Sequence, residues 1–339
     1  MMELKRISID TSKAVFTLHG VDAQERPVLR RTLKRAQLEA WFAKQAPTAV
    51  VLDACGGSHH WGRVLGAMGH HVRLIPPQYV KPFVKRGKND RNDAEAISEA
   101  ASRPGMRYVP VKTAEQQARA MVLSVRELLV KQQTQLVNAL RGHAAEFGVI
   151  AAKGIDKLAT LVALIAADAA VPAEVQEAIG VLAGQIEQIA EQLRALDRKL
   201  LTLHKATPMS RLLREIPGVG PIGALSLVLT VDPGQFKSGR HFAAWLGLVP
   251  KERSTGGKQR LGSISREGNE RLRQLLVLGA TAVVRYAKPG SKSASKWLLE
   301  LLERRPRKVA AVALANKMAR IAWAMMTSGE GYRRQPIAA

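Results

Sequence analysis

Ala49-Val-Val-Leu-Asp53-Ala-Cys-Gly-Gly-Ser58 is the stretch on which the fold turns. Ala49 to Leu52 is apolar without interruption, the mark of a strand covered on both faces. It ends in an acid, Asp53, and a glycine pair then leads into a helical pattern through Trp61, Val64, Leu65 and Met68. Upstream, the alternation from Ile7 to Asp10, the run Ala14 to Leu18 and the run Val28 to Leu33 read as three short strands in hairpin succession, with a charged turn at Asp22 to Arg26. Leu38 to Ala46 carries Leu38, Trp41 and Phe42 on one side of a helix. Val72 to Ile75 reads as a fifth strand stopped by Pro76 and Pro77.

The order of three strands, helix, strand, helix, strand is that of an RNase H-like sheet, in which the first and fourth strands lie side by side. Asp10 and Asp53 then end neighbouring strands and face each other across one gap. Downstream, Lys85-Arg-Gly-Lys-Asn-Asp90-Arg-Asn-Asp93-Ala-Glu-Ala-Ile97 reads as a helix entry with Asp90 and Asp93 on one face. Two readings of this pair stand together: first-turn acids that suit the positive end of the helix dipole, or half of a Mg²⁺ site approached by phosphate, with Lys88 and Arg91 beside it. If the helix closes over the gap, four carboxylates converge. They repel one another unless a divalent cation neutralises them.

The chain has 339 residues, a formal net charge of +24 and one cysteine. That length accommodates two or three domains. The basic residues are spread along it, which points to a nucleic-acid partner over a large surface. A membrane is not expected, for there is no long apolar run, signal peptide or lipidation motif. With Cys55 alone no internal disulfide forms, and a reducing, cytoplasmic and nucleoid-associated setting is expected. Cys55 reads as a small buried filler. The pairs His59-His60 and His70-His71 read as structural or phosphate-facing and are not expected to bind zinc, because neighbouring histidines point apart and no cysteine completes a set.

Thr113 to Phe147 reads as a long amphipathic helix. After an alanine-rich stretch, Pro172 opens a second, in which Val175, Ile179, Leu182, Ile186, Ile189, Leu193, Leu196, Leu200 and Leu203 form a heptad seam. A hairpin within the chain or a pairing between chains would each satisfy it. Further on, Gly218, Gly220 and Gly223 match the spacing of a dinucleotide fingerprint, but in the wrong context: a helix precedes them and prolines interrupt. A helix-hairpin-helix fits better, with the Gly218 to Gly220 turn offering backbone N–H groups to a DNA phosphate. Phe236 to Leu248 reads as a helix. Lys251-Glu-Arg-Ser-Thr-Gly-Gly-Lys-Gln-Arg260 opens a basic, hydroxyl-rich, phosphate-contacting loop, and Arg271 to Arg285, Trp297 to Leu302 and Val309 to Met326 read as helices.

Ile9-Asp10 with Lys13, the block Val50 to Arg63, Lys88-Asn-Asp90-Arg-Asn-Asp93-Ala, Ile216-Pro-Gly-Val-Gly-Pro221, and Leu246-Gly-Leu-Val-Pro250 through Ser254-Thr-Gly-Gly-Lys258 to Gly268-Asn269 occur in that order. With these motifs the chain resembles, over nearly its whole length, the DEDD-type transposases of bacterial insertion sequences, which join a RuvC-like N-terminal domain to a C-terminal serine transposase domain. The resemblance implies a RuvC-like catalytic domain over 1–110, a helical coiled-coil region over 111–206, a transposase domain over 207–328 and a flexible tail over 329–339. It implies a recombinase that excises and inserts its own element, with Mg²⁺ held by Asp10, Asp53, Asp90 and Asp93, and Ser254 joining covalently to the DNA phosphate. Thr255 is the neighbouring hydroxyl. Where the family usually has Glu, this chain has Asp53. Lys251, Arg253, Lys258 and Arg260 would stabilise the developing charge. The implied partners are donor and target DNA, a guide RNA from the element, and further copies of the chain as a dimer or tetramer. Two alternatives rest on fewer features: a metal-dependent nuclease of the Holliday-junction type, and a non-catalytic DNA-binding protein.

Overall fold

Alternation assigns the two faces of the first sheet. The computed structural model describes residues 4–85, 89–258, 260–291 and 295–333. The chain divides into two units, Met1–Ala118 and Arg119–Ala339. In the first, β1 (Arg6–Thr11), β2 (Val15–Val21) and β3 (Pro27–Lys34) are followed by α1 (Leu38–Phe42), β4 (Ala49–Asp53), α2 (Ser58–Ala67) and β5 (His71–Ile75), then α3 (Pro77–Val80) and α4 (Asp90–Ser102). The sheet order is β3-β2-β1-β4-β5. β1 runs antiparallel to β2 and parallel to β4, and β4 runs parallel to β5. The first and fourth strands are thus neighbours, as their sequence order predicts.

Residues of opposite parity on a strand face opposite ways. Ile7, Ile9, Val50 and Leu52 point to one side, where they bury with Phe16, Leu38, Phe42, Trp61 and Leu65. Val51 and Ile75 bury on the other side with Ala96, Ile97 and Ala100 of α4. Each such large side chain contributes roughly 1.5–3 kcal/mol on leaving water. Asp10 and Asp53 share the parity of Ser8 and Val51, so both are presented to the side that α4 covers. The alanines on the inner face of α4 let it lie close to the strands. Arg6, from that same face, is buried but paired with Glu25 and within 3.4 Å of the Ser98 hydroxyl on α4.

The second unit is mainly helical. It holds most of α5 (Ala114–Glu146), then α6 (Leu158–Ala167) and α7 (Ala173–Ala206). Ile179, Ile186, Leu193 and Leu200, seven apart, are the buried apolar residues of α7. Ile179 and Ile186 share a core with Leu140 and Ala144 late in α5, and Leu200 with Leu123 early in it. The two long helices therefore run antiparallel, tied by Arg126 and Asp197 at 2.5 Å. The buried positions of the seam are satisfied within one chain.

There follow α8 (Pro208–Leu213), α9 (Pro221–Thr230), α10 (Gly239–Trp245), β6 (Pro250–Glu252), β7 (Leu261–Ile264), α11 (Glu270–Arg285), α12 (Lys296–Arg304) and α13 (Arg307–Ser328). They enclose a core built on Leu213, Ile216, Phe242, Leu246, Leu272, Leu276, Met318 and Met325. Three expectations need correction. The helix predicted over Leu38 to Ala46 ends at Phe42. The helix predicted over Phe236 to Leu248 is shorter, because Ser238 caps it by accepting from the His241 N–H and Gly247, at φ 71°, turns the chain away. The segment predicted as a basic loop contains a two-stranded antiparallel hairpin, β6 and β7. Among the described residues α13 alone is long and apolar enough to cross a membrane. Its Ala310, Ala315, Met318, Ala322 and Met325 are core residues.

Candidate metal centre and serine hairpin

α4 starts at Asp90 because the Asn89 side chain accepts from the Asn92 N–H at 2.8 Å, giving one orphan donor a partner. Asp90 and Asp93 are then first-turn residues. That alone would suit the dipole, but the strand β1 adds a third acid. One ligand oxygen from each of Asp10, Asp90 and Asp93 lies within 4.8 Å of the others. A helix dipole does not explain a carboxylate delivered from a separate strand. Burial, and then the charges of Asp53, Asp93 and Asp90, raise the Asp10 pKa from 3.8 to about 6.

Asp53 stands beside this trio and outside it. Burial is the largest cause of its raised pKa, with Asp93 adding to it, while a hydrogen bond with Cys55 acts in the opposite direction. Its Oδ1 is buried without a partner. Cys55 is half-buried, not a buried filler, and its sulfur lies 2.9 Å from the Thr11 hydroxyl. Four acids, oxygen donors throughout and an orphaned carboxylate oxygen suit a hard divalent cation. Mutual repulsion is relieved by such an ion, or in part, below about pH 6, by protonation of Asp10.

One histidine of each pair is held in structural contacts, while His60 and His71 are exposed. The Thr48 N–H donates to Nδ1 of His70, whose Nε2 lies 3.3 Å from the Phe42 carbonyl oxygen. His59 Nδ1 accepts from the Lys112 N–H at 3.1 Å; burial, then Lys112 and Arg63, bring its pKa down to about 4. Arg91 is exposed on the first turn of α4, while Lys88 lies outside the described residues, as do residues 334–339 of the expected tail.

In the second unit, Ser254 sits at the tip of the β6–β7 hairpin. Gly256 and Gly257, at φ 56° and 76°, turn the chain, and the Arg253 N–H donates to the Arg260 carbonyl. The Ser254 hydroxyl donates to Glu252 Oε1 at 2.8 Å and accepts from the Arg260 N–H at 3.2 Å. Lys251, Arg253, Lys258 and Arg260 are all exposed around it. Glu252 was not among the predicted residues: it ends β6 two residues before Ser254, and its approach to the hydroxyl depends on the hairpin, which the sequence did not reveal. Gly220 caps α9 and is exposed, while Gly218, at φ 89°, is pressed against α11, where an added Cβ would lie 2.7 Å from the Gly279 carbonyl oxygen.

Residues 7–148 match the DEDD transposase family of IS110 type, and residues 210–296 match the IS116/IS110/IS902 transposase family. The Sinorhizobium fredii protein y4pF/y4sB, which carries a transposase name, is 54% identical over 98% of this chain and 86% of its own length. The transposase for insertion sequence element IS1111A of Coxiella burnetii is 41% identical, covering 98% of this chain and 92% of its own. The transposase for IS1328 of Yersinia enterocolitica is 36% identical over 97% and 98%. With both halves matched and relatives aligned almost end to end, the chain belongs to the IS110 family of insertion-sequence transposases.

Proposed function

We propose that this enzyme cuts and rejoins the DNA strands of its own insertion sequence with Mg²⁺ and a covalent Ser254–DNA intermediate. The observation that carries the reading is the convergence of Asp10, Asp90 and Asp93 from a strand and a helix far apart in sequence. Family membership supplies DNA as the substrate. In this reading Asp10, Asp90 and Asp93 hold the ion, with Asp53 reaching it directly or through water. When bound, the ion supplies Lewis-acid polarisation of the scissile phosphate. The Ser254 hydroxyl attacks phosphorus and the strand oxygen leaves. The phosphoserine conserves the bond energy for rejoining, which hydrolysis by water would not. Lys251, Arg253, Lys258 and Arg260 meet the charge that develops on the phosphate, with Lys88 and Arg91 contacting the backbone.

The same reading takes residues 1–110 as an RNase H-like, RuvC-like domain, in keeping with the strand order. It takes 111–206 as a coiled-coil region, 207–328 as a transposase domain with a helix-hairpin-helix at Gly218 and Gly220, and 329–339 as a tail. Exposed Met121, Val125 and Leu128 follow one side of α5 and support assembly into a dimer or tetramer. Guidance by an RNA of the element suits a strongly basic chain whose sequence carries no obvious base-reading motif, because pairing would then read the sequence.

The test is a denaturing gel of the protein with DNA carrying the element's ends. A protein–DNA adduct is expected with Mg²⁺ and absent in Ser254→Ala, Asp93→Asn or chelator. Strand cutting that persists in Ser254→Ala without an adduct would mean hydrolysis by water, and the covalent reading would fall; a persisting adduct would move the nucleophile to another hydroxyl.

A further inference from the structure

From the hairpin geometry we infer that Glu252 is a catalytic residue: the general base that takes the Ser254 proton during strand cleavage and the acid that returns it during rejoining. The inference deepens the reading above and rests on Ser254 being the nucleophile. A serine hydroxyl is a weak nucleophile until a base accepts its proton. Of the two adjacent hydroxyls, that of Ser254 is engaged by a carboxylate, at 2.8 Å, within the reach a general base needs. Among the described residues Thr255 has no comparable acceptor, and its part in the hairpin is a backbone bridge to Lys258.

The bonds of Ser254 also leave its oxygen able to react. Its proton is committed to Glu252 and one lone pair accepts from the Arg260 N–H, so the other lone pair is free to meet phosphorus. The Arg260 contact fixes the Oγ from the opposite strand, while Glu252, two residues before it on β6, fixes the proton. In cleavage the Oγ–P bond forms, the proton passes to Glu252, and the strand oxygen departs with the P–O electron pair and takes a proton from solvent. In rejoining, a strand hydroxyl attacks phosphorus and releases its proton to solvent. The P–Oγ bond breaks, and Oγ leaves with its electron pair and recovers the proton from Glu252. Each half-reaction regenerates the form of Glu252 that the other requires.

The test is single-turnover adduct formation by the full chain on DNA carrying the element's ends, with DNA affinity measured in parallel. Glu252→Gln keeps an oxygen that can accept the serine hydrogen bond and cannot take the proton. It should lower the adduct rate roughly 10²–10⁴-fold with affinity unchanged. Glu252→Ala should be accelerated by added formate, which a merely structural role would not produce. A Glu252→Gln rate within about threefold of the parent, with Ser254→Ala forming no adduct, would overturn the inference and leave the covalent reading intact. An adduct that survives in Ser254→Ala overturns both.

Discussion

A single carboxyl group, that of Asp10, gathers most of the electrostatics of the acidic site, and its sign can be worked through. Its pKa rises from 3.8 to about 6 in the folded protein, through burial first and then the neighbouring acids. Between those values the native state holds a proton that the unfolded chain has released, so this contribution is present below about pH 3.8 and is lost as pH rises through about 6. In chelator, thermal melts should show Tm of the parent falling relative to Asp10→Asn across that window. A divalent cation should restore Tm at pH 7.5 and do little at pH 5, where the proton competes for the same carboxylate. Asp53 gives a second expectation. Its orphaned Oδ1 stops short of the trio, and one added methylene carries a carboxylate about 1.5 Å further. Asp53→Glu should therefore tighten Mg²⁺ or Mn²⁺ binding several-fold by calorimetry, and unchanged affinity would mean that a carboxylate at this position stays out of contact with the ion even with the added reach. The convergence of Asp10 with Asp90 and Asp93 was legible through the strand order, which sets the first and fourth strands side by side with a helix closing over them; helix spacing put Asp90 and Asp93 on one face, and Asp53, expected as the fourth member, stands outside the trio. The Thr11–Cys55 contact was not legible, since it depends on how a strand end meets the turn after its neighbour.

At the level of elements, what the sequence reveals follows burial. The five strands of the first sheet and the long helices α5, α7, α11 and α13 are where the apolar pattern puts them, although β3 is mostly exposed and was read from its place in the hairpin succession. The hairpin β6–β7 escapes that reading because its residues are exposed or nearly so. Backbone bonds and two left-handed glycines hold it, and neither leaves a hydropathy pattern. α4 shows how one cap governs a site. Asn89→Ala should cost about 1 kcal/mol by losing the bond to the Asn92 N–H. Asp90 and Asp93 lie in the turn that bond secures, so the same variant should weaken divalent-ion binding more than its modest loss of stability would suggest. Parallel denaturant melts and calorimetry check this, and full-strength binding would show that the first turn is held by other means. The close approach of Gly218 and Gly279 makes another demand on packing. A Cβ at Gly279 would collide with the Gly218 carbonyl oxygen, so Gly279→Ala must drive α11 away from the turn before α9. A loss of about 1–3 kcal/mol in denaturant melts is expected.

Across the whole molecule the dominant quantity is the net charge of +24, far more than the acidic site can offset. Each cation that neutralises a DNA phosphate releases a counterion, so affinity for DNA of arbitrary sequence should fall linearly on a log–log plot against salt, with a slope of about −0.9 per phosphate contacted. This term is independent of catalysis. Asp10→Asn and Ser254→Ala should bind with essentially the parental slope while forming no adduct. Replacing Lys251, Arg253, Lys258 and Arg260 together by Gln should make the slope shallower by about 0.9 for each of the four that touches the backbone. Fluorescence anisotropy with random-sequence duplex over a salt series measures both effects. Because the four side chains are exposed around Ser254, their removal should leave the fold and its melting temperature nearly unchanged. A slope identical to the parent's would take the hairpin out of contact with DNA, and with it the positioning of Ser254 on a phosphodiester. A shallower slope with Tm preserved would locate part of the phosphate grip on the same hairpin that carries the nucleophile.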